Sequence, residues 1–130
     1  MNGQSNDFNK TESRVDNSLL SSLLWIYPHY PPAAHGASNR AEALTKVFAR
    51  CFGKVHIICF GVVDQCEQIH NITIDRITRR SNLSTRIHMF DSRWVSRALG
   101  SAEIHRYSII IVSYPSREAL EVGIRLKKML

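Results

Sequence analysis

Apolar positions along the chain fall into short dense runs, separated by segments in which apolar residues recur every three to four positions. The runs Leu23–Tyr27 (LLWIY), Lys54–Phe60 (KVHIICF) and Tyr107–Ser113 (YSIIIVS) have strand length and little alternation. That pattern predicts strands buried on both faces. Asn71–Ile77 (NITIDRI) does alternate, with Ile72, Ile74 and Arg76 on one side and Thr73 and Asp75 on the other, as in a strand nearer a sheet edge. Ala41, Leu44, Val47, Phe48 and Cys51 keep helical spacing, with Asn39 and Glu42 offering a capping box and Gly53 a stop. Leu83, Ile87, Phe90, Trp94 and Ala98 predict a second helix over Ser84–Gly100. Ser116–Leu130 reads as a third, its Glu118 and Glu121 early and Lys127 and Lys128 late, matching the helix dipole.

The resulting order, β-α-β-β-α-β-α with apolar strands between helices, indicates an α/β domain with a Rossmann-like, doubly wound, mainly parallel sheet. Right-handed crossovers place the second predicted strand beside the first and the fourth on its other side. The carboxyl ends of the first and fourth strands then form a switch point where two loops meet, Pro28–Ser38 and Ser113–Ser116. Residues 1–22 are polar and aperiodic, with Lys10 and Arg14 against Asp7, Glu12 and Asp16, a net charge of −1. They are expected to be a disordered leader to a domain spanning 23–130.

At 130 residues, 44% of them hydrophobic, the chain supports one domain with a core. Cys51, Cys59 and Cys66 form no CxxC pair and are odd in number, which argues against a disulfide framework and for buried or inert thiols in a reducing cytoplasm. No secretory pattern opens the chain and no apolar run has the length of a membrane span, so a cytoplasmic protein is expected.

Charge adds one feature. The net charge is +6, and Arg76, Arg79, Arg80, Arg86, Arg93 and Arg97 are opposed within their own stretch only by Asp91. Such a patch suits phosphates, on nucleic acid or on an anionic membrane surface, and equally suits a solvated basic face. A small basic α/β module binding nucleic acid or phosphate without catalysis is one reading of it. The lack of interleaved aromatics and of any nucleic-acid motif argues against nucleic acid. Arg86, Arg93 and Arg97 lie off the apolar face that holds Phe90 and Trp94, so an interfacial helix on anionic lipid competes with plain core packing.

The two loops carry the candidate chemistry. Gly36, Ala37 and Ser38 stand before a helix start, where small residues let backbone amides approach an anion; the plainer role for Gly36 is to permit a turn. His29 and His35 flank the loop as candidate bases or phosphate donors, at a spacing that fits no metal motif. Ser113, Tyr114 and Ser116 sit where hydroxyls can bind a sugar at a strand end, and Ser116 also suits a helix N-cap. Glu118 reads as a first-turn partner of the dipole and nothing more. The glycosylation triplets at Asn9, Asn71 and Asn82 read as chance.

Two stretches are familiar as a pair. Tyr30-Pro31-Pro32, Gly36, Arg40-Ala41-Glu42-Ala43-Leu44 and Gly53-Lys54-Val55-His56-Ile57-Ile58 together resemble the opening of family 4 glycosyltransferases of GT-B fold. The segment YSIIIVSYPSREALEVGIRLKK, with Ser113, Tyr114, Pro115 and Ser116 at its strand end, resembles that family's fourth strand and the helix lining its acceptor cleft. The resemblance covers about residues 23–130. It departs from the family pattern at His35, before a single Gly36 where a Gly-Gly pair is common, and at Ser108, where an acidic residue often opens the fourth strand. It implies the incomplete N-terminal, acceptor-side half of a GT-B fold, with a nucleotide-sugar donor and a sugar or lipid-linked acceptor. On that footing Gly36, Ala37 and Ser38 face the donor diphosphate, while His29, His35, Ser113, Tyr114 and Ser116 line the acceptor cleft. Arg86, Arg93 and Arg97 would meet the inner membrane face. No metal or other cofactor is implied and no catalytic residue is assigned. The donor-holding domain of the family has no counterpart in these residues, so the chain is expected not to transfer sugar alone.

Overall fold

The computed structural model describes residues 22–30, 36–79, 90–103, 107–113 and 116–129, so the expected leader lies outside the described residues apart from Ser22. The elements run β1 (Ser22–Ile26), α1 (Gly36–Cys51), β2 (Lys54–Gly61), β3 (Gln65–Ile69), β4 (Ile72–Thr78), α2 (Ser92–Glu103), β5 (Ile109–Val112) and α3 (Arg117–Met129). The strands form one mixed sheet in the order β3-β4-β2-β1-β5. β1 is parallel to both β2 and β5, and β2 is parallel to β4, with only β3 antiparallel. The fold is therefore α/β with a mostly parallel sheet, consistent with a Rossmann-like arrangement. β1 and β2 occupy its middle as their composition requires, and β1 is buried along its whole length. β5, expected to be buried on both faces, is instead a sheet edge with Ile109 exposed and Ile110, Ile111 and Val112 half-buried, because no described strand covers its outer side.

Strand alternation sorts the side chains between two layers. Leu23, Trp25, Val55, Ile57, Cys59 and Ile74 meet Ala41, Phe48 and Phe52 on the α1 side. Leu24, Ile26, Ile58 and Ile77 meet Trp94, Val95, Ala98, Leu99, Ala119, Val122 and Leu126 on the side of α2 and α3. Trp94 is the largest fully buried side chain, and its indole N–H donates to the Ile77 carbonyl at 3.2 Å, so no polar atom is stranded by its burial.

β3 was not foreseen, and it changes the place of β4. QCEQI has neither an apolar face nor a buried position, because its pairing rests on the backbone of β4 and not on burial. The pair closes through His70, which takes the left-handed conformation (φ 52°), and Asn71. β4 is thereby covered on its outer side and lies one strand in from the edge. Asn71 also serves α1: its amide donates to the carbonyls of Ala49 (2.8 Å) and Phe52 (2.9 Å), two groups that the helix end leaves without helical partners. That cap explains how α1 stops without Gly53 adopting a left-handed conformation.

Two helix starts differ from expectation. α1 begins at Gly36, so Asn39 is its fourth residue and not its cap; nothing between Pro32 and Asn39 forbids helical backbone, and the helix extends upstream. α2 begins at Ser92, not Ser84, because Asp91 caps it: one carboxylate oxygen accepts the N–H groups of Arg93 (3.0 Å) and Trp94 (3.1 Å). Phe90 precedes the helix and is exposed, while Leu83 and Ile87 lie outside the described residues. Among the described residues no helix is long and apolar enough to cross a membrane.

Candidate functional site

β1 and β5 are neighbours and run the same way, so the segments that leave them emerge side by side at the carboxyl end of the sheet, where open α/β sheets place ligands. The Ser113 N–H donates to the Ile26 carbonyl at 3.0 Å, and the Trp25 indole N–H donates to Ser113 Oγ at 2.9 Å. The indole fills one lone pair of that hydroxyl, and the serine O–H remains as a donor at the crevice rim.

A chain of contacts closes the crevice on the α2 and α3 side. His29, exposed in the turn after β1, stands edge-on to Phe60, with ring centroids 5.9 Å apart. The Arg79 guanidinium lies 4.8 Å from the centroid of the same Phe60 ring and donates to Glu118 Oε1 at 2.6 Å. That Glu118 oxygen also accepts the Asp91 N–H at 3.2 Å, and its other oxygen accepts from Ser116 Oγ at 3.3 Å. Ser116 in turn caps α3, its Oγ accepting the Ala119 N–H at 3.2 Å. Glu118 is thus far more than a dipole partner. It is 3% exposed, and a buried carboxylate needs the guanidinium and the amide that meet it. The starts of α2 and α3 and the end of β4 are pinned to one another through it.

The α1 side of the same end is apolar. Tyr30, first of the Tyr30-Pro31-Pro32 motif, is buried, and Trp25 packs against Tyr27, Tyr30 and Phe48. Burial pushes the Tyr30 phenol above its ordinary pKa, against a smaller opposing effect from its hydrogen bond with Thr45. Tyr30 therefore anchors the loop in the core. Gly36, Ala37 and Ser38 form the first turn of α1, not a loop ahead of it. Of the expected site residues, His29, Ser113 and Ser116 lie at the carboxyl end of the sheet, each held by its own contacts; His35 and Tyr114 lie outside the described residues.

The arginine stretch is not the open patch that its local count suggests. Arg76 pairs with Glu67 of β3 (3.1 Å), Arg79 with Glu118 of α3, and Arg97 with Asp64 in the turn after β2. These acids come from outside the stretch, brought in by the unforeseen β3 hairpin and by α3. Arg93 is exposed on α2, while Arg80 and Arg86 lie outside the described residues.

A second polar cluster sits on the α2 face, toward the amino end of β2. His56, buried within β2, bonds Asp75 Oδ2 through Nε2 at 2.7 Å and the Tyr107 hydroxyl through Nδ1. Ser101 of α2 donates to the same Asp75 oxygen. An imidazole that donates from Nε2 to Asp75 and accepts at Nδ1 from the Tyr107 hydroxyl uses both ring nitrogens. The His56 hydrogen bond holds the Asp75 carboxyl well below the usual carboxylate range, with burial opposing and Ser101 assisting. Burial pushes the Tyr107 phenol well above its ordinary range. The sequence carried a signal for this cluster: His56 interrupts a run buried on both faces, and Asp75 shares a strand face with Ile77. Each polar residue there demands a partner. Among the described residues no group of three His, Cys, Asp or Glu could hold a metal ion.

No protein-family model matches the chain, and no curated protein or solved structure matches it either.

Proposed function

We propose that this chain is the acceptor-side, Rossmann-like part of a GT-B glycosyltransferase of the family 4 type, forming one wall of a cleft in which sugar passes from a nucleotide-sugar to an acceptor. The observation that supports the reading is the adjacency of β1 and β5. The two stretches that resemble the family are far apart in sequence, and their strands end at a single crevice. The amino end of α1, with Gly36, Ala37 and Ser38, offers backbone amides to the donor diphosphate. The Ser113 hydroxyl and the His29 imidazole are hydrogen-bonding groups for acceptor hydroxyls. A sugar or a lipid-linked polysaccharide precursor is the acceptor class that belongs with this reading. Peripheral contact at a membrane face belongs to it as well, with Arg93 exposed on α2 to meet anionic lipid. The pairing of Arg76, Arg79 and Arg97 with carboxylates weakens the rival reading of a nucleic-acid module.

Two measurements on the purified chain test this. Incubation with uridine and guanosine diphosphate sugars and a sugar acceptor should give no transfer by the chain alone, and turnover above background would overturn that part. Titration with the same nucleotide sugars and with a lipid-linked sugar analogue, followed by amide NMR shifts, should perturb Tyr27, His29, Tyr30 and Ser113. Salt-sensitive binding to single-stranded nucleic acid, with no shifts from any sugar ligand, would move the reading to a nucleic-acid module.

A further inference from the structure

The outer flank of α3, together with the free edge of β5, forms a surface suited to one kind of partner. β5 ends the sheet, so among the described residues one side of its backbone ladder faces no strand. α3 sits directly over β5: a Cβ on Gly123 would lie 2.5 Å from Val112 Cγ2. The helix presents Glu118 and Val122 toward α2, both buried. Leu120 and Ile124 are rotated about half a turn from that face, at 100° per residue, and so lie on the flank away from α2, past β5. They are 46% and 43% exposed, while Ile109, exposed at the start of β5, lies with Ile111 on the opposite, α1 side of the sheet. An apolar pair over an unpaired strand edge matches an added β-strand, which would gain ladder hydrogen bonds from β5 and cover Leu120 and Ile124.

The charges around the flank decide what such a strand must carry. Arg117 at the first turn of α3 and Lys127 and Lys128 at its last turn frame the apolar pair at both ends. The only acids on α3 are Glu118, turned inward, and Glu121, which pairs with Arg125 on the outer face. A second copy of this chain would bring the same basic frame against itself, because a twofold contact sets Arg117 toward the lysines of the other helix. We propose that the edge of β5 and the outer flank of α3 accept an extended, apolar polypeptide strand bearing acidic residues at its ends, contributed by a partner protein.

The test uses the purified chain and two synthetic heptapeptides of alternating valine and isoleucine, one ending in glutamate at both termini and one ending in lysine. The glutamate-ended peptide should bind, with amide NMR shifts at Ile109, Ile110, Ile111 and Val112. The lysine-ended peptide should bind at least about fivefold more weakly, the size expected for a few exposed ion pairs. The exposed double substitution Leu120→Glu with Ile124→Glu should abolish the shifts while leaving the far-ultraviolet circular dichroism unchanged. Absence of binding, equal binding of the two peptides, or shifts confined to β3, the other sheet edge, would overturn the proposal. So would a dimer in sedimentation equilibrium that the same double substitution dissolves, since a second copy would then be the occupant.

Discussion

Asp75 accepts the Nε2 hydrogen of His56 across the β2–β4 pair at 2.7 Å, and the two side chains account for each other's presence between the sheet and α2. His56 is buried with both ring nitrogens bonded. Asp75, partly exposed, collects hydrogens from His56 and Ser101 on one oxygen. The pair joins neighbouring strands, and Tyr107 and Ser101 extend it to the start of β5 and the end of α2.

Replacing Asp75 with Asn should therefore cost about 1–3 kcal/mol at pH 7, the range for leaving a buried partner poorly satisfied. The pH dependence has a definite sign. The folded-state pKa of Asp75 lies below its unfolded value, so its contribution is complete above about pH 4 and fades as pH falls toward the folded value. Urea unfolding of wild type and Asp75→Asn should show a gap at pH 7 that narrows below about pH 4. A gap constant down to pH 2.5 would contradict the role given to the carboxylate.

Tyr107→Phe removes the hydroxyl that meets His56 Nδ1, and should cost about 1–2 kcal/mol. Because Asp75 and Tyr107 act through one imidazole, the double variant should lose less than the two singles added. A coupling of about 0.5 kcal/mol or more in a double-mutant cycle is expected. Strict additivity would mean that the two contacts are independent.

Glu118→Ala leaves the Arg79 guanidinium and the Asp91 amide without their shared acceptor. Loss of a partner from a fully buried ion pair costs about 3–5 kcal/mol. The Arg79 side chain keeps 21% exposure, so about 2–3 kcal/mol is expected here. By contrast, Arg97→Ala breaks a pair whose two side chains are half exposed, and its denaturation midpoint should match wild type in 0.5 M salt. Equal losses for the two variants would undo the distinction.

Thiol labelling should separate Cys59 from Cys66. Burial pushes the Cys59 thiol up to about 11, so it should react with iodoacetamide only when the chain unfolds. Cys66 is exposed, but its hydrogen bond to Asp75, more than its slight burial, raises its pKa. Its labelling at pH 7.5 should accelerate in Asp75→Asn, as peptide mass spectrometry can measure. Labelling of native Cys59 at the unfolded-chain rate would show that β2 is not closed as described.

Much of this architecture is written in local pattern. LLWIY and KVHIICF carry too many apolar residues for a half-exposed strand and lie in the middle of the sheet, while YSIIIVS, equally apolar, is a half-exposed edge strand whose place composition does not give. The separation of these runs by helical spacing leads to the parallel order around β1. What pattern could not give were features that depend on a partner remote in sequence. QCEQI is a strand because β4 lies beside it, and nothing in its composition says so. Asp91 looked like the one acid in a basic stretch and is instead the cap of α2. Glu118 looked like an ordinary first-turn acid, and only the approach of Arg79 from the end of β4 makes it the hub of the crevice wall. The loop residues His29, Ser113 and Ser116 could be placed in advance at the carboxyl end of the sheet because strand order and direction alone set that end.

The position of β1 also sets an order of events during synthesis. β1, the first of the described strands, is flanked by β2 and by β5, and Trp25 meets Ser113 across 88 positions of sequence. β2, β3 and β4 can assemble against it as soon as they leave the ribosome, since their pairings are comparatively local. The side of β1 that faces β5 must wait, and with it the Nδ1 atom of His56, whose partner Tyr107 lies 51 residues further on. A nascent chain arrested short of β5 would thus present an open edge of LLWI and a His56 not yet met by Tyr107, the state in which a chaperone would recognise it.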